Sequence, residues 1–340
     1  MFAEIFFLFI GLVIILISAE VFTNGIETLG RRFSLSQAVV GSLLAAVGTA
    51  LPETILPVVA IFFYSGKSAE DIGVGAILGA PFMLSTLAFF FVGLTVIASY
   101  LKKRRKFEIN VEIHSTRRDL MFFLPMYAVA VLMPIVVGKS FSVLIAIILV
   151  GGYIFYAYRT FRGESADIEH SEEMYLWRLL RKIRLTNAEG PHLIVILLQV
   201  VGSLAVMITG AHTFVGSLEH VSIRFGMNPL LFALMLAPVA TELPEKFNSV
   251  TWTWKGRDTL AIGNITGAMV FQSTFPVCVG LLFTEWKLTG MAFLSAVIAL
   301  TSTLIVLLEI TFRKRLSPFT MLFGGVLYLI YAVVLITGNS

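Results

Sequence analysis

The chain has 340 residues, of which 57% are hydrophobic and 14% are charged, and its mean hydropathy is +0.90. A soluble domain carries about 25% charged residues, so this composition excludes a soluble protein. The single cysteine, Cys278, excludes an internal disulfide and a cysteine-based metal cluster, and the net charge of +4 reflects topology and predicts no nucleic-acid partner.

Hydrophobic runs long enough to cross a bilayer, which takes about 20 residues, recur along the chain. Ten transmembrane helices are predicted, at residues 2–22, 36–64, 72–99, 119–137, 141–158, 191–217, 228–253, 259–283, 286–309 and 317–337. The first run lacks a basic n-region and a clear small-residue cleavage site, so we expect a helix of the mature protein and not a signal peptide. The sequence therefore predicts an all-α polytopic membrane protein.

The basic residues predict how the helices are oriented. Twenty of the 25 Lys and Arg residues lie in the loops that follow predicted helices one, three, five, seven and nine. Four lie in loops on the opposite side, and Lys246 lies inside a predicted helix. The positive-inside rule places the first set of loops in the cytoplasm and both termini on the non-cytoplasmic side of the cell membrane.

The two halves of the chain resemble each other. GTALPE at 48–53 matches ATELPE at 240–245 at an offset of 192 residues, and GAILG at 75–79 matches GNITG at 263–267 at an offset of 188. The difference of four residues falls in a loop between helices, where insertions are tolerated. The predicted units are a first five-helix repeat at 1–158 with its α-repeat at 41–84, a cytoplasmic linker at 159–190, and a second five-helix repeat at 191–340 with its α-repeat at 233–272.

Each half contains five predicted helices, and because this number is odd the second half enters the membrane from the opposite side. Inverted repeats of this kind are typical of secondary transporters, in which broken helices meet near the bilayer midplane. In the linker, MYLWRLLRKIRL is compatible with a short amphipathic helix on the membrane surface. A solvated basic linker explains the same segment equally well.

The two hexapeptides place oxygen ligands inside hydrophobic helices. Because proline has no amide hydrogen and crowds the carbonyl four residues before it, Pro52 frees the carbonyl of Gly48 and Pro244 frees that of Ala240. The polar side chains that share a helix face with these carbonyls are Thr49 and Glu53 in the first copy and Thr241, Glu242 and Glu245 in the second. An acidic residue at mid-membrane costs about 2.5–3.5 kcal/mol and usually marks an ion path or a proton relay. Carboxylate, hydroxyl and carbonyl oxygens are suitable ligands for Na⁺ or Ca²⁺.

Each hexapeptide is followed by a Gly-x-x-x-Gly element that opens the next helix, and together they resemble the two α-repeats of the sodium/calcium exchanger (cation/Ca²⁺ antiporter) superfamily. The resemblance implies antiport by alternating access, in which the first and sixth helices slide against the other eight. It also implies that Thr49, Glu53, Thr241 and Glu245 line a central site for inorganic cations. No bound cofactor is expected, and the functional unit is expected to be a monomer surrounded by membrane lipids.

The chain departs from the family pattern at several ligand positions. Members usually have Ser after Gly-Thr, where this chain has Ala50 and Glu242, and an Asn or Asp further on is replaced by Leu84 and Gln272. The remaining side-chain oxygens, those of Glu53, Glu242, Glu245, Thr49, Thr241 and Gln272, suffice for one divalent cation but for fewer Na⁺ ions than the family binds. Because crowded carboxylates favour protonation of one of them, the proton is a candidate counter-ion in place of Na⁺.

Several alternatives stay open at this point. The lost ligands are compatible with a transport-impaired homologue that acts as a sensor or scaffold, and with an exchanger for a different cation coupled to H⁺. An intramembrane hydrolase would need a paired catalytic Asp motif or a His-rich metal motif, and the sequence contains neither, so no enzyme activity is predicted. His212, in the sixth predicted helix, is expected to bond to a neighbouring backbone group rather than to exchange protons with the central acids.

Overall fold

The structure is a computed structural model that describes residues 2–33, 45–161, 173–183, 190–288 and 290–338. Within these ranges, the side chains of residues 31, 45–50, 161, 243–245, 336 and 338 lie outside the description. The regular elements of the described part are helices, apart from one isolated antiparallel bridge between Ile109 and Leu316.

The helices are α1 (Phe2–Arg32), α2 (Ala45–Phe63), α3 (Lys67–Met83), α4 (Phe89–Leu101), α5 (Ile113–Val137), α6 (Ser142–Phe161), α7 (Tyr175–Lys182), α8 (Leu193–Arg224), α9 (Pro229–Trp254), α10 (Asp258–Gln272), α11 (Phe275–Phe283), α12 (Gly290–Arg313) and α13 (Pro318–Gly338). A π-helical turn, Leu84–Ala88, joins α3 to α4, and a 3₁₀ turn, Lys139–Phe141, precedes α6.

Eight helical segments of the described chain are long and apolar enough to cross a membrane, with α3 and α4 forming one of them and α10 and α11 another. Two shorter apolar helices, Leu51–Phe63 within α2 and Pro229–Glu242 within α9, contain parts of the two hexapeptides. Each of the ten predicted hydrophobic segments overlaps one of these ten, and residues 36–44 of the second predicted segment lie outside the described residues. The all-α polytopic membrane fold is confirmed, while the exact number of crossings and the inverted relation of the two halves stay predictions.

The helix interruptions lie elsewhere than the hexapeptides suggest. Helices α2 and α9 continue through Pro52 and Pro244, because each proline removes one amide hydrogen without breaking the rest of the hydrogen-bond ladder. In the described part of the chain, two predicted helices are interrupted at other places. The helix predicted at 72–99 contains the π turn that begins at Leu84, and a break at Ser273 and Thr274 divides the helix predicted at 259–283 into α10 and α11. These two features match at the offset of 188 residues that relates the two Gly-x-x-x-Gly elements.

Helices from the two halves make the most extensive contacts in the described structure, α1 with α8 and α3 with α9. Where α1 crosses α8, a Cβ added at Gly11 would lie 2.7 Å from the backbone nitrogen of Phe214, so the two backbones approach closely at this glycine. The pair is also joined by the amide of Gln199, which donates to the carbonyl of Val21 at 2.9 Å and to Asn24 Oδ1 at 3.0 Å.

The linker contains the amphipathic helix α7, which fastens α1 to α8. Its first-turn amides are capped by side chains, since the backbone N–H of Tyr175 donates to Asn24 Oδ1 at 3.0 Å and that of Leu176 donates to Gln199 Oε1 at 2.8 Å. Trp177 is only 2% exposed and packs in a small apolar cluster with residues of α8. The segment therefore contains the short helix that one interpretation predicted, and α7 bridges the two long helices. Its location on the membrane surface stays a prediction.

The basic loops that follow α4 and α9 meet at one end of the bundle. The guanidinium of Arg105 forms two hydrogen bonds with the buried carboxylate of Asp258, at 2.7 Å to Oδ1 and through a second, shorter bond to Oδ2. The ammonium of Lys102 and the guanidinium of Arg104 both lie 5.1 Å from the ring centre of Trp254. These contacts place two of the predicted cytoplasmic loops on the same side of the protein.

Candidate functional site

Close packing of α3 against α9 positions the candidate site. A Cβ added at Gly75 or Gly79 would overlap the carbonyl oxygen of Leu230 or Leu234 respectively, and at Gly79 it would also lie 2.6 Å from Pro238 Cγ. Only glycine allows the backbone of α9 to come this near. The Gly-x-x-x-Gly element therefore serves as the contact surface that brings the second hexapeptide against α3.

Beside this contact lies a cavity of about 10 Å³, the size of one water molecule, formed by α2, α3 and α9. Its lining residues are Glu53, Leu56, Ala76, Ala80, Ala237, Pro238, Thr241 and Glu242. The structure thus brings together three of the predicted ligands, one from the first half and two from the second. Two carboxylates and a hydroxyl surround a space in which a desolvated cation would be held by oxygen.

The three predicted ligands at the cavity are removed from solvent. Glu53 is 7% exposed, Thr241 is 2% exposed and Glu242 is 1% exposed. The hydroxyl of Thr241 donates to the carbonyl of Ala237 at 3.0 Å, and this bond directs its proton to the backbone and leaves oxygen lone pairs available to a cation. Carboxylate and hydroxyl oxygens are the ligands that hard cations such as Ca²⁺ prefer, so the lining of this cavity suits a cation.

The other predicted ligands lie outside the cavity lining or have side chains outside the described residues. Gln272, at the end of α10, is 2% exposed, and its Oε1 atom accepts no hydrogen bond within the described residues, although it does not line the cavity. Thr49 and Glu245 lie on α2 and α9, and their side chains fall outside the described residues. Gly48, the first predicted carbonyl donor, also lies on α2. Ala240, the second predicted carbonyl donor, lies on α9, next to the cavity-lining Thr241. The roles of all five positions stay predictions.

Two matched Ser-Thr pairs were missed by sequence reasoning. Ser85 and Thr86 in the π turn correspond to Ser273 and Thr274 at the break between α10 and α11, again at an offset of 188 residues. All four hydroxyls donate to carbonyls three or four residues earlier, among them Thr86 Oγ1 to Phe82 at 2.5 Å and Thr274 Oγ1 to Phe271 at 2.8 Å. They satisfy backbone groups where the helices depart from α geometry, and the repeated dipeptide is the signal that could have revealed them.

His212 lies apart from the central acids. Its ring contacts Tyr64, whose hydroxyl lies 3.0 Å from His212 Nδ1 and donates to the His212 carbonyl at 2.6 Å. The partner of the ring is therefore a tyrosine hydroxyl, and the expected bond of the ring to a backbone group is wrong. Within the described side chains, no group of three or more His, Cys, Asp or Glu residues is close enough to hold a metal ion. A cation site at this place depends on hydroxyl and carbonyl oxygens in addition to carboxylates.

Comparisons with known proteins agree with this architecture. The family described as sodium/calcium exchanger protein matches residues 3–162 and 195–337 of the chain. The putative antiporter CaxA of Alkalimonas amylolytica is 22% identical over 267 residues, covering 78% of this chain and 76% of that protein. The inner membrane protein YrbG of Escherichia coli K12 is 23% identical over 286 residues, covering 84% and 82%.

Two solved structures share the fold. The H⁺/Ca²⁺ exchanger CAX superposes with a TM-score of 0.69 at 15% identity, covering 98% of this chain and 82% of that chain. The sodium–calcium exchanger NCX_Mj, soaked with 2.5 mM Na⁺ and 10 mM Sr²⁺, superposes with a TM-score of 0.58 at 20% identity, covering 98% of both chains. At these identities the likeness concerns the fold.

Proposed function

Since this chain belongs to the sodium/calcium exchanger protein family, whose members are cation antiporters and not enzymes, we propose that it exchanges Ca²⁺ or a related divalent cation for Na⁺ or H⁺ by alternating access. The observation that carries the proposal is the meeting of Glu53 and Glu242, one from each half of the chain, at one small buried cavity. Thr241 adds a hydroxyl oxygen at the same place. These are the hard oxygen ligands that Ca²⁺ prefers.

Further oxygens complete the proposed site. Ca²⁺ takes six to eight oxygen ligands, more than the two carboxylates and one hydroxyl at the cavity supply. Thr49 lies one turn from Glu53 on α2, and Glu245 lies one turn from Thr241 on α9. The carbonyls of Gly48 and Ala240 receive no helical hydrogen bond from positions 52 and 244, because both positions are prolines and have no amide hydrogen. Gln272 offers an amide oxygen at the end of α10.

The proposed counter-ion is based on the small number of side-chain oxygens that line the cavity. Ala76 and Ala80 line it from α3, so this helix offers no side-chain oxygen for additional Na⁺ ions. This shortage of oxygen ligands for Na⁺ supports coupling to H⁺ with reduced dependence on Na⁺. The structural relatives include both an H⁺/Ca²⁺ exchanger and a sodium–calcium exchanger, so both counter-ions have precedents on this fold.

Topology and assembly form part of the proposal. The chain acts in a cell membrane with its basic loops in the cytoplasm and both termini outside, as the distribution of Lys and Arg predicts. In the proposed cycle, α1 and α8 slide as one unit, since they contact each other extensively and α7 bridges them. The proposed functional unit is a monomer.

Uptake of radioactive Ca²⁺ into proteoliposomes tests the proposal. We expect uptake driven by an outward H⁺ gradient, with a weaker response to an outward Na⁺ gradient. Glu53→Gln and Glu242→Gln should each abolish flux, while Glu112→Gln, at the N-terminal boundary of α5, should retain it. Absence of flux from the unmodified protein under either gradient would overturn the proposal in favour of a transport-impaired homologue. Uptake that follows Na⁺ and ignores pH would refute the proton version alone.

A further inference from the structure

Two helices end side by side at the predicted cytoplasmic face, and basic residues follow both of them. Helix α4 is followed by Lys102, Lys103 and Arg104, and helix α9, which packs against α4, is followed by Lys255. All four residues are exposed. The two helix ends therefore form one surface from segments that lie far apart in the sequence, and we call it the α4–α9 basic patch.

Trp254, the last residue of α9, lies within this patch. The ammonium of Lys102 and the guanidinium of Arg104 each lie 5.1 Å from the centre of its ring, so two cations share one indole. Within the described part of the chain, neither cation is paired with a carboxylate. The carboxylate of Asp258, at the start of α10, is already engaged, because both of its oxygens accept from Arg105. Two like charges are thus held near each other without an acidic partner.

The end of α4 has a lysine at a position that favours glycine. Both helices end in the same hydrogen-bond pattern, in which a backbone N–H donates to the carbonyl five residues earlier, at 3.0 Å for Arg104 and at 2.8 Å for Arg257. The preceding residue takes a left-handed conformation, with φ of 75° at Gly256 in α9 and 55° at Lys103 in α4. Because a lysine is strained in this conformation and a glycine is not, termination of the helix does not by itself account for Lys103.

The residues next to the patch are typical of a membrane interface. Leu101, directly before Lys102, is 73% exposed, and the ring of Tyr100 packs edge to face on that of Phe107 with 5.2 Å between ring centres. Apolar and aromatic side chains beside basic ones are found where the acyl chains meet the headgroups. Anionic headgroups of the cytoplasmic leaflet attract clusters of Lys and Arg at that depth.

We propose that the α4–α9 basic patch binds the headgroup of an anionic glycerophospholipid from the cytoplasmic leaflet. The lipid phosphate lies between the Lys102 ammonium and the Arg104 guanidinium, which can donate two parallel hydrogen bonds to it. Lys103 and Lys255 add positive charge around the phosphate. The bound lipid joins the end of α4 to the end of α9, the helix that contains two of the candidate cation ligands at the cavity.

Quenching of tryptophan fluorescence by brominated lipids measures this binding. The protein is reconstituted in phosphatidylcholine with increasing fractions of brominated phosphatidylglycerol or brominated phosphatidylcholine, and the signal of Trp254 is the difference from Trp254→Phe. We expect phosphatidylglycerol to quench this signal at lower fractions than phosphatidylcholine does. Because each basic residue near an anionic surface contributes about fivefold in affinity, Lys102→Gln combined with Arg104→Gln should reduce the preference by roughly 30-fold. Lys314→Gln combined with Arg315→Gln removes an equal charge from exposed residues after α12 and should retain the preference.

A further variant separates lipid binding from helix termination. Lys103→Gly removes one charge and relieves the left-handed lysine, so the preference should fall about fivefold while the melting temperature in detergent stays the same or rises. A lower melting temperature with an unchanged preference would overturn the role of Lys103 in lipid binding.

Two other results would overturn the whole inference. Equal quenching by the two brominated lipids in the unmodified protein would show that the patch does not select an anionic headgroup. A preference that survives the combined change of Lys102 and Arg104, or that falls equally in the control, would show that the patch is not the site. The measurement requires no transport, so its outcome is separate from that of the antiport proposal.

Discussion

Gly79 controls the distance between α3 and α9, and its replacement by alanine should damage the cation site without touching a ligand. The added Cβ would lie 2.6 Å from Pro238 Cγ, whereas ordinary van der Waals contact begins at 3.4 Å, so the helices must separate by at least about 0.8 Å. Pro238 and Glu242 lie one turn apart on α9, and both line the cavity. Because Ca²⁺–oxygen distances span only about 2.3–2.6 Å, a shift of this size would carry Glu242 out of bonding range.

The expected result of Gly79→Ala is a loss of about 10- to 100-fold in apparent Ca²⁺ affinity, the range found when groups that support metal ligands are changed. Overpacking should also destabilise the fold by about 1–3 kcal/mol. Uptake as a function of Ca²⁺ concentration and the melting temperature in detergent measure the two effects. Gly151→Ala on α6, where an added Cβ would meet nothing within 4 Å in the described structure, is the matched control. Unchanged affinity in Gly79→Ala would refute the claim that this contact shapes the site.

Three further predictions concern single contacts. Thr241→Val keeps the shape of the side chain but removes its oxygen, so Ca²⁺ uptake should show a weaker apparent affinity that Thr241→Ser restores. Asn24→Ala combined with Gln199→Ala removes the side-chain caps of α7, each worth about 0.5–2 kcal/mol, and should speed proteolysis of the linker. An unchanged cleavage rate would show that these two bonds do not hold α7 against α1 and α8. Asp258→Asn leaves the guanidinium of Arg105 without its carboxylate, and a melting temperature equal to that of the unmodified protein would show that this pair does not stabilise the basic end.

Much of the fold could be predicted because membrane helices are specified locally. A segment of about 20 apolar residues must satisfy its backbone hydrogen bonds internally, so hydrophobic length alone marks each helix, as for α5 and α12. The paired hexapeptides were informative for a related reason, since acids in such segments are costly unless they have a function. Glu53 and Glu242 could therefore be selected as candidate ligands from residue type and depth.

The interruptions of the helices could not be predicted in the same way. Helices α2 and α9 continue through the prolines that are visible in the sequence. The π turn at Leu84 and the break at Ser273 occur instead where serine hydroxyls donate to backbone carbonyls. Whether a helix bends depends on whether neighbouring groups satisfy the freed backbone atoms, and this is a property of the packed structure.

The sequence by itself determined that this protein is an all-helical membrane protein and which residue types could hold a cation, because both depend on hydropathy and charge along single helices. Only the tertiary structure decided that Glu53, Thr241 and Glu242 share one cavity, that Gln272 lies outside its lining, and that Ala76 and Ala80 complete the wall. The physical reason is that α3 approaches α9 closely. The glycines of α3 permit this approach, but the sequence of α3 does not specify which helix packs against it.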